Sequence, residues 1–145
     1  MNSELRMPDT NPPVALFWFR RDLRLHDNAG LYHALKSGLP VLPLFIFDSN
    51  ILEDLTDKRD ARVQFIHDTV LGLKKELEGL GSTLIIRHGK PETIWRELIR
   101  EWKVARAFSN HDFEPYAIAR DATVSELLSA GGICFHTYKD HVIFE

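Results

Sequence analysis

Two kinds of hydrophobic pattern alternate along this chain. Residues 14–19 form a continuous apolar run, which is typical of a β-strand that is covered on both faces. Similar short runs predict four further strands at positions 40–47, 83–87, 104–108 and 133–138. The segments between these runs carry apolar residues every three or four positions, the spacing of helices that pack one face against a core. The pattern therefore predicts strands and helices in alternation.

Polar and conformationally special residues mark the ends of four predicted helices. Asp27 or Asn28 caps the first helix, which runs to about Ser37. Pro91 and Pro115 open the last two, because proline is favoured at the first position of a helix. The longest helix has its apolar stripe at Val63, Ile66, Val70, Leu73, Leu77 and Leu80. Because strand–helix–strand units join parallel strands by right-handed crossovers, the fold class is α/β: a doubly wound, five-stranded parallel sheet with helices on both faces, a Rossmann-like arrangement.

Single residues inside these elements carry further expectations. Pro43 lacks a backbone N–H, so we expect a bulge or a gap in the hydrogen-bond ladder of the second strand. Cys134 lies in an apolar strand run and is expected to be a buried, inert thiol. The three tryptophans, Trp18, Trp95 and Trp102, are expected to be core residues.

Length and composition are those of one globular domain. The chain has 145 residues, of which 44% are hydrophobic and 27% charged. Its net charge is −3, whereas a domain that binds duplex DNA by itself usually has a strong basic excess. Positions 1–13 are polar and contain three prolines, so we interpret them as a flexible lead-in to a domain spanning 14–145. No signal-peptide pattern is seen and the expected location is cytoplasmic.

Polar residues are concentrated where the predicted strands end. Arg20 follows the first strand, Asp48 the second, and Asp112 and Glu114 the fourth. The carboxyl ends of parallel strands meet at one edge of an open sheet, where ligands bind at the topological switch point. We therefore expect these four side chains to converge on a crevice.

Familiar catalytic and phosphate-binding motifs are absent from the sequence. There is no G-x-G-x-x-G and no G-x-x-x-x-G-K-[ST], so neither phosphate loop is predicted. The seven histidines have no zinc-like spacing, and no G-x-S-x-G surrounds a serine. These residues alone predict a ligand-binding α/β domain with no metal site and no catalytic residues.

Two strings resemble the DNA photolyase and cryptochrome family. The first is F-W-F-R-R-D-L-R-L-H-D-N at 17–28, and the second is N-x-D-x-E-P-Y-x-x-x-R-D at 110–121. The resemblance extends from about Val14 to Glu145 and implies the N-terminal α/β antenna domain of that family. It also implies that this chain lacks the helical domain that follows in such proteins, which holds FAD and the DNA-binding face. The chain ends abruptly after its last strand, which agrees with a fragment of a longer protein.

The resemblance also implies an antenna site in the predicted crevice. In members with a deazaflavin or flavin antenna, the positions that match the chromophore site are Arg20, Phe45, Asp48, Asp112 and Glu114. Phe45 is expected to pack against the ring system, and the carboxylates to accept hydrogen bonds from ring N–H or ribityl hydroxyl groups. Arg20 is expected to offset the carboxylates or to bind an anionic edge.

The same resemblance favours one class of antenna. Members that use folate place an Asn-Glu pair where this chain has Tyr116 and Ala117, so a deazaflavin or FMN is preferred over folate. An empty pocket is the other interpretation, since some members bind no antenna. Arg21, Asp22 and Arg24 are expected to form a structural Arg–Asp pair. Arg120 and Asp121 are expected to tie the last helix to a neighbouring element.

The function implied for the complete protein is that of a deoxyribodipyrimidine photolyase. This light-driven carbon–carbon lyase splits cyclobutane pyrimidine dimers with FAD, and the alternative is a cryptochrome blue-light photoreceptor. A stand-alone nucleotide-binding α/β protein is a third hypothesis from another class. The chain alone is expected to be inactive in repair. Its expected partners are the antenna chromophore and its own helical domain, with damaged DNA bound only through that domain and no membrane contact.

Overall fold

One parallel β-sheet organises the computed structural model, which describes residues 12–54 and 61–139. Within these residues the strands are β1 (Val14–Phe19), β2 (Val41–Asp48), β3 (Ile85–Gly89), β4 (Val104–Asn110) and β5 (Cys134–Tyr138). They are hydrogen-bonded in the order β3-β2-β1-β4-β5, and every pair is parallel. The predicted five-stranded parallel sheet is therefore confirmed.

The helices follow the strands in the predicted alternation, with one addition. They are α1 (Ala29–Leu35), α2 (Ser49–Asp54), α3 (Ala61–Gly79), α4 (Pro91–Glu101) and α5 (Pro115–Ala130). The additional element is α2, whose six residues are too few to show a helical repeat in sequence. Asn28 is the cap of α1, because its side-chain oxygen accepts the N–H of Leu31 at 3.1 Å. Pro91 and Pro115 each open a helix, as predicted.

Both faces of the sheet are covered by helices. Successive side chains of a strand point to opposite faces, and all six residues of β1 are buried. Phe17 and Phe19 belong to a core cluster that also contains residues of α1 and α3. Leu16 and Trp18 belong to a second cluster that contains residues of α4 and α5. The doubly wound arrangement predicted from continuous apolar runs is thereby confirmed.

Of the bulge or gap expected at Pro43, the bulge is absent, and the ladder with β3 begins only after the proline. The register of β1 with β2 runs without interruption through the pair Phe17–Pro43. Pairing of β2 with β3 begins one residue later, at Leu44 and Ile85, so the proline precedes the part of β2 that has partners on both sides. The register irregularity of the sheet lies instead at Val14, where β1 pairs with β4.

Three expected core residues are exposed because of where their elements end. Cys134 is exposed because it is the first residue of an edge strand. Trp102 is 39% exposed because it lies at the C-terminal cap of α4 rather than within the helix. Leu80 follows the last residue of α3 and is also exposed. The predictions for these three residues were wrong, whereas Trp18 and Trp95 are fully buried as predicted.

Gly30 allows α1 to begin directly against the sheet. A Cβ atom at this position would lie 2.8 Å from Oδ1 of Asn110 and 2.8 Å from Cε1 of Phe17. Only a residue without a side chain permits this approach. The start of α1 is thereby fixed beside the carboxyl end of β4.

The predicted lead-in at 1–13 lies outside the described residues except for Pro12 and Pro13, which are exposed. None of the helices in the described part of the chain is long and apolar enough to cross a membrane.

Candidate functional site

A cavity lies at the topological switch point of the sheet. The chain runs from β1 outward to β2 and β3, and then returns to the other side of β1 to form β4. The segments that follow β1 and β4 enclose a cavity of about 350 Å³. Its lining residues are Arg20, Arg21, Asp22, Arg24, Asn110, His111, Asp112, Phe113 and Glu114. The cavity is at the edge where the sequence predicts a crevice.

Charged side chains gather at this edge in a group that we call the strand-end cluster. Its members are Arg20, Arg21, Asp22, Arg24, Asp48, Asp112, Glu114, Arg120 and Asp121.

Arg20 is held in place by the last helix and by the core. Its Nη1 donates to Oδ1 of Asp121 at 2.6 Å, and its Nη2 donates to the backbone carbonyl of Asn110. The guanidinium also lies over the ring of Trp18, 4.7 Å from the ring centroid. Burial lowers the pKa of Arg20, and the neighbouring Asp121 carboxylate opposes this effect. With its donors engaged in this way, Arg20 balances charge inside the cluster.

Arg120 connects carboxylates that come from different segments. It is buried, and its guanidinium carbon lies 5.0 Å from the Trp18 ring centroid. Its Nη1 lies 3.6 Å from Oδ2 of Asp48, and its Nη2 lies 3.8 Å from Oδ2 of Asp112. Its Nε donates to Asp121 at 3.2 Å. The Nη2 atom is buried and has no hydrogen-bond acceptor among the described residues.

Tyr116 covers the buried carboxylate at the end of β2. Its hydroxyl donates to Oδ2 of Asp48 at 2.7 Å and accepts from Nδ2 of Asn50 at 3.1 Å. Burial, together with the hydrogen bond to Asp48, raises the pKa of Tyr116 to about 12. The phenol therefore remains a donor to Asp48 throughout the physiological pH range.

The rim of the cavity is more loosely organised. Arg21 is 72% exposed and lies 3.7 Å from Asp112 and 3.6 Å from Glu114, both longer than a hydrogen bond. Exposed pairs of this kind contribute only about 0–1 kcal/mol to stability. The side chains of Arg21 and Glu114 are therefore able to reorient around a ligand at low cost.

A buried polar network holds the loop after β1 in position. The amide of Asn110 donates to Oδ2 of Asp22 at 2.6 Å and to Oδ1 of Asn28 at 2.7 Å. Its Oδ1 accepts the N–H of Gly30 at 2.7 Å, while Asp22 also accepts the N–H of Arg20 at 2.8 Å. Asp22 therefore has the structural role predicted for it, since it accepts hydrogen bonds from the amide of Asn110 and from the backbone N–H of Arg20.

Four of the five predicted site residues are brought together. Arg20, Asp48 and Asp112 are joined through Arg120 and Asp121, and Glu114 lies beside them on the rim. This also confirms that Arg120 and Asp121 tie the last helix to neighbouring segments.

Phe45 is not at this edge cavity. It is 7% exposed and packs against Phe47, with ring centroids 4.9 Å apart, in the core cluster beneath α1 and α3. Phe45 and Asp48 are three positions apart in one strand, and the period of two places such residues on opposite faces. The aromatic side chain that does line the cavity is Phe113, which is 67% exposed. Its position between Asp112 and Glu114 in the second string is the signal that could have identified it.

Metal-binding geometry is not found in this part of the protein. Across residues 12–54 and 61–139, no group of three or more His, Cys, Asp or Glu side chains could hold a metal ion.

Comparison with known proteins identifies the class to which this fold and site belong. The family model for DNA photolyase matches residues 15–145, which is most of the chain. The chain therefore belongs to the DNA photolyase family. It is 35% identical over 138 residues to a deoxyribodipyrimidine photo-lyase of Halobacterium salinarum, an alignment that covers 89% of this chain and 28% of that protein.

Solved structures of both photolyases and cryptochromes share this fold. The archaeal photolyase of Sulfolobus tokodaii, solved with two FAD molecules, superposes with a TM-score of 0.81 at 33% identity, over 90% of this chain and 30% of that chain. A Synechocystis cryptochrome superposes with a TM-score of 0.79 at 26% identity, over 89% of this chain and 28% of that chain. The chain thus spans less than a third of the length of these relatives.

Proposed function

We propose that this chain is the antenna-chromophore domain of a deoxyribodipyrimidine photolyase, the light-driven enzyme that splits cyclobutane pyrimidine dimers. The name of the Halobacterium relative supports the reaction, and the archaeal structure, described as implying a novel light-harvesting cofactor, supports the antenna role. Because the chain spans 28% of the Halobacterium enzyme, FAD binding, dimer cleavage and contact with damaged DNA are assigned to the remaining part of such a protein.

The observation that carries this proposal is the convergence of charged side chains on a cavity at the switch point. Small-molecule sites usually occupy about 300–1,000 Å³, and the cavity of about 350 Å³ is at the lower end of this range. The lining supplies acceptors on Asp112 and Glu114, and Phe113 supplies an exposed aromatic surface.

Each residue has a defined task in this proposal. Asp112 and Glu114 accept hydrogen bonds from ring N–H or ribityl hydroxyl groups. Arg20 offsets the carboxylates, since its own donors are engaged by Asp121 and a carbonyl. Asp48 lies beneath Tyr116 and anchors Arg120. When bound, the chromophore absorbs light and passes the excitation to the flavin of the catalytic domain.

The proposed antenna is a deazaflavin or FMN rather than folate. Tyr116 and Ala117 occupy the positions at which folate-binding members carry an Asn-Glu pair. Neither a tyrosine nor an alanine side chain has the amide or carboxylate of that pair. In addition, the Tyr116 hydroxyl is already hydrogen-bonded to Asp48 and Asn50, and Ala117 is buried.

A cryptochrome is the second candidate, and the structural match to the Synechocystis cryptochrome favours it. Identity reaches 35% and 33% with two photolyases, although other photolyases match at 26–28%, and it is 26–29% with cryptochromes. On this ground we propose the photolyase first. The antenna domain itself serves either protein, so dimer repair by the complete protein is the assay that separates them.

A fluorescence titration of the 145-residue chain with FMN, a deazariboflavin and a reduced folate tests the antenna role. We expect saturable binding of FMN or the deazariboflavin, and binding at least about tenfold weaker in Asp112→Asn, which corresponds to about 1.4 kcal/mol. Glu126→Gln is the matched control, because Glu126 is an exposed carboxylate on α5, the helix that follows Asp112, and is outside the residues that line the cavity. Saturable binding of folate alone, or of none of the three, would contradict the proposal.

A further inference from the structure

A row of aromatic side chains connects α1 with β5, the edge strand of the sheet. The ring centroids of Tyr32 and His33 in α1 lie 5.3 Å apart, and the ring of His33 stacks on Tyr138 of β5 at 4.1 Å with an angle of 10° between the planes. Tyr138 stacks with Phe108 of β4 at 6.4 Å, and Phe108 lies 5.0 Å from His136 of β5. We call these five residues the aromatic row. None of them lines the cavity at the switch point.

A cationic side chain stands at each end of the aromatic row. Nζ of Lys36 lies 5.4 Å from the ring centroid of Tyr32. Arg106 precedes Phe108 by two positions in β4, so both side chains point to the same face of the sheet. Burial lowers the pKa of His136, and the charge of Arg106 lowers it further, which agrees with a short distance between these two side chains. Lys36 and Arg106 are both exposed.

No carboxylate lies in the elements that form this surface. Helix α1 and strands β4 and β5 contain no Asp or Glu. Asp27, the nearest acidic residue before α1, is at the end of the helix opposite to Lys36. Among the described residues, neither Lys36 nor Arg106 forms an ion pair with a carboxylate. Although the chain carries a net charge of −3, the charge of this surface is therefore positive.

The rings at the α1 end of the row are accessible to a flat ligand. Tyr32 is 55% exposed, and His33 is exposed although Tyr138 covers one face of its ring. Aromatic rings beside Lys or Arg suit single-stranded nucleic acids, because an unpaired base stacks on a ring while the cations contact phosphates. The bases of a duplex are already stacked on one another, and an acidic peptide has no bases, so both of these ligands would use the cations alone.

We propose that the aromatic row, together with Lys36 and Arg106, is a binding surface for single-stranded nucleic acid. A base stacks on Tyr32 or His33, and neighbouring phosphates contact the two cations. Two cations on a chain of net negative charge predict weak binding, with a dissociation constant of about 10⁻⁴ to 10⁻⁶ M. This inference goes beyond the proposed antenna function and assigns no lesion recognition to the surface.

Fluorescence anisotropy of labelled oligo(dT) of about 15 nucleotides, titrated with the 145-residue chain, measures this binding. We expect the logarithm of the association constant to fall with the logarithm of the salt concentration with a slope of about −1.4, because each phosphate contact on a single strand contributes about −0.7. Lys36→Gln should reduce the slope to about −0.7. The matched control is Lys75→Gln, which removes the same charge from an exposed position on α3 and should leave the slope unchanged.

An abasic strand of the same length tests stacking separately from charge, because it has the phosphates and lacks the bases. Oligo(dT) should bind at least about fivefold more tightly than the abasic strand. Tyr32→Ala should reduce this difference, whereas Phe65→Ala, which deletes an exposed ring from α3, should retain it. Tyr32 and Phe65 are 55% and 69% exposed, so both variants are expected to keep the fold.

Oligo(rU) shows whether DNA or RNA is preferred, and saturable binding of either supports the proposal. The absence of saturable binding up to about 10⁻³ M protein would overturn it. Equal affinity for the abasic strand, or tighter binding of a hairpin duplex, would also overturn it, because the rings would then have no part in binding. Equal effects of the α1 variants and their α3 controls would show that the strand binds elsewhere, with the same consequence. The flavin titration is independent of all these results, so the antenna proposal stands or fails separately.

Discussion

Replacing Asn110 should lower the stability of this protein strongly, although only one small side chain is lost. Asn110 is buried at the end of β4, and its side chain makes three hydrogen bonds of 2.6–2.7 Å to groups of the β1 loop and α1. Asn110→Ala deletes all three and adds no compensating contact. The change leaves a backbone N–H at Gly30, a carboxylate at Asp22 and an amide oxygen at Asn28 to be resatisfied.

The size of the effect follows from what each group retains. The side chains of Asp22 and Asn28 each keep another donor, a backbone N–H, whereas the N–H of Gly30 loses its side-chain acceptor. A buried polar group left unsatisfied costs about 1–3 kcal/mol, and more when it is charged. We therefore expect Asn110→Ala to lower the free energy of unfolding by about 3–5 kcal/mol, a large part of the roughly 5–15 kcal/mol typical of a domain.

Urea unfolding followed by tryptophan fluorescence measures this loss, since Trp18 and Trp95 are buried and report on the core. Asn50→Ala is the matched control: it deletes a single exposed hydrogen bond to Tyr116. That change should cost no more than about 0.5 kcal/mol. A loss below about 1 kcal/mol for Asn110→Ala would refute the account of the network as a buried support of the cavity.

Other single residues lead to equally specific outcomes. Gly30→Ala should lower the free energy of unfolding by about 1–3 kcal/mol, because its Cβ would lie 2.8 Å from two atoms. Gly72→Ala has nothing within 4 Å of the added Cβ and should raise the free energy of unfolding by about 0.5–1 kcal/mol. Urea unfolding in which both variants shift in the same direction would contradict this. Ultraviolet titration should show one of the three tyrosines ionising at a pKa of about 12, and Tyr116→Phe should abolish that step. Burial lowers the pKa of His136, so the folded state resists protonation and stability should fall as the pH drops through about 6.5, the unfolded value. His136→Gln should therefore reduce the fall in unfolding free energy between pH 8 and pH 5. An unchanged fall in this variant would disprove the reasoning.

Local pattern was sufficient to predict the architecture of this protein. A continuous apolar run such as 14–19 is stable only when both faces are covered, and this requirement defines a sandwiched parallel sheet. Helix ends were equally readable, because Asn28, Pro91 and Pro115 satisfy or avoid unpaired backbone donors within their own first turn. The strand-end rule then located the crevice, since parallel strands in this alternation must share a carboxyl edge.

The local sequence pattern did not predict the features that depend on which elements are neighbours in the folded protein. Nothing near Cys134 in sequence shows that its strand is the sheet edge, and its exposure follows from that position alone. Likewise, Tyr116 meets Asp48 across 68 positions, and Arg20 meets Asp121 across 101. The spacing of hydrophobic residues carries information only about residues that are close in sequence. These contacts, in contrast, form only when the sheet and α5 have assembled. The fold class is therefore encoded locally, and the chemistry of the cavity arises from tertiary contacts.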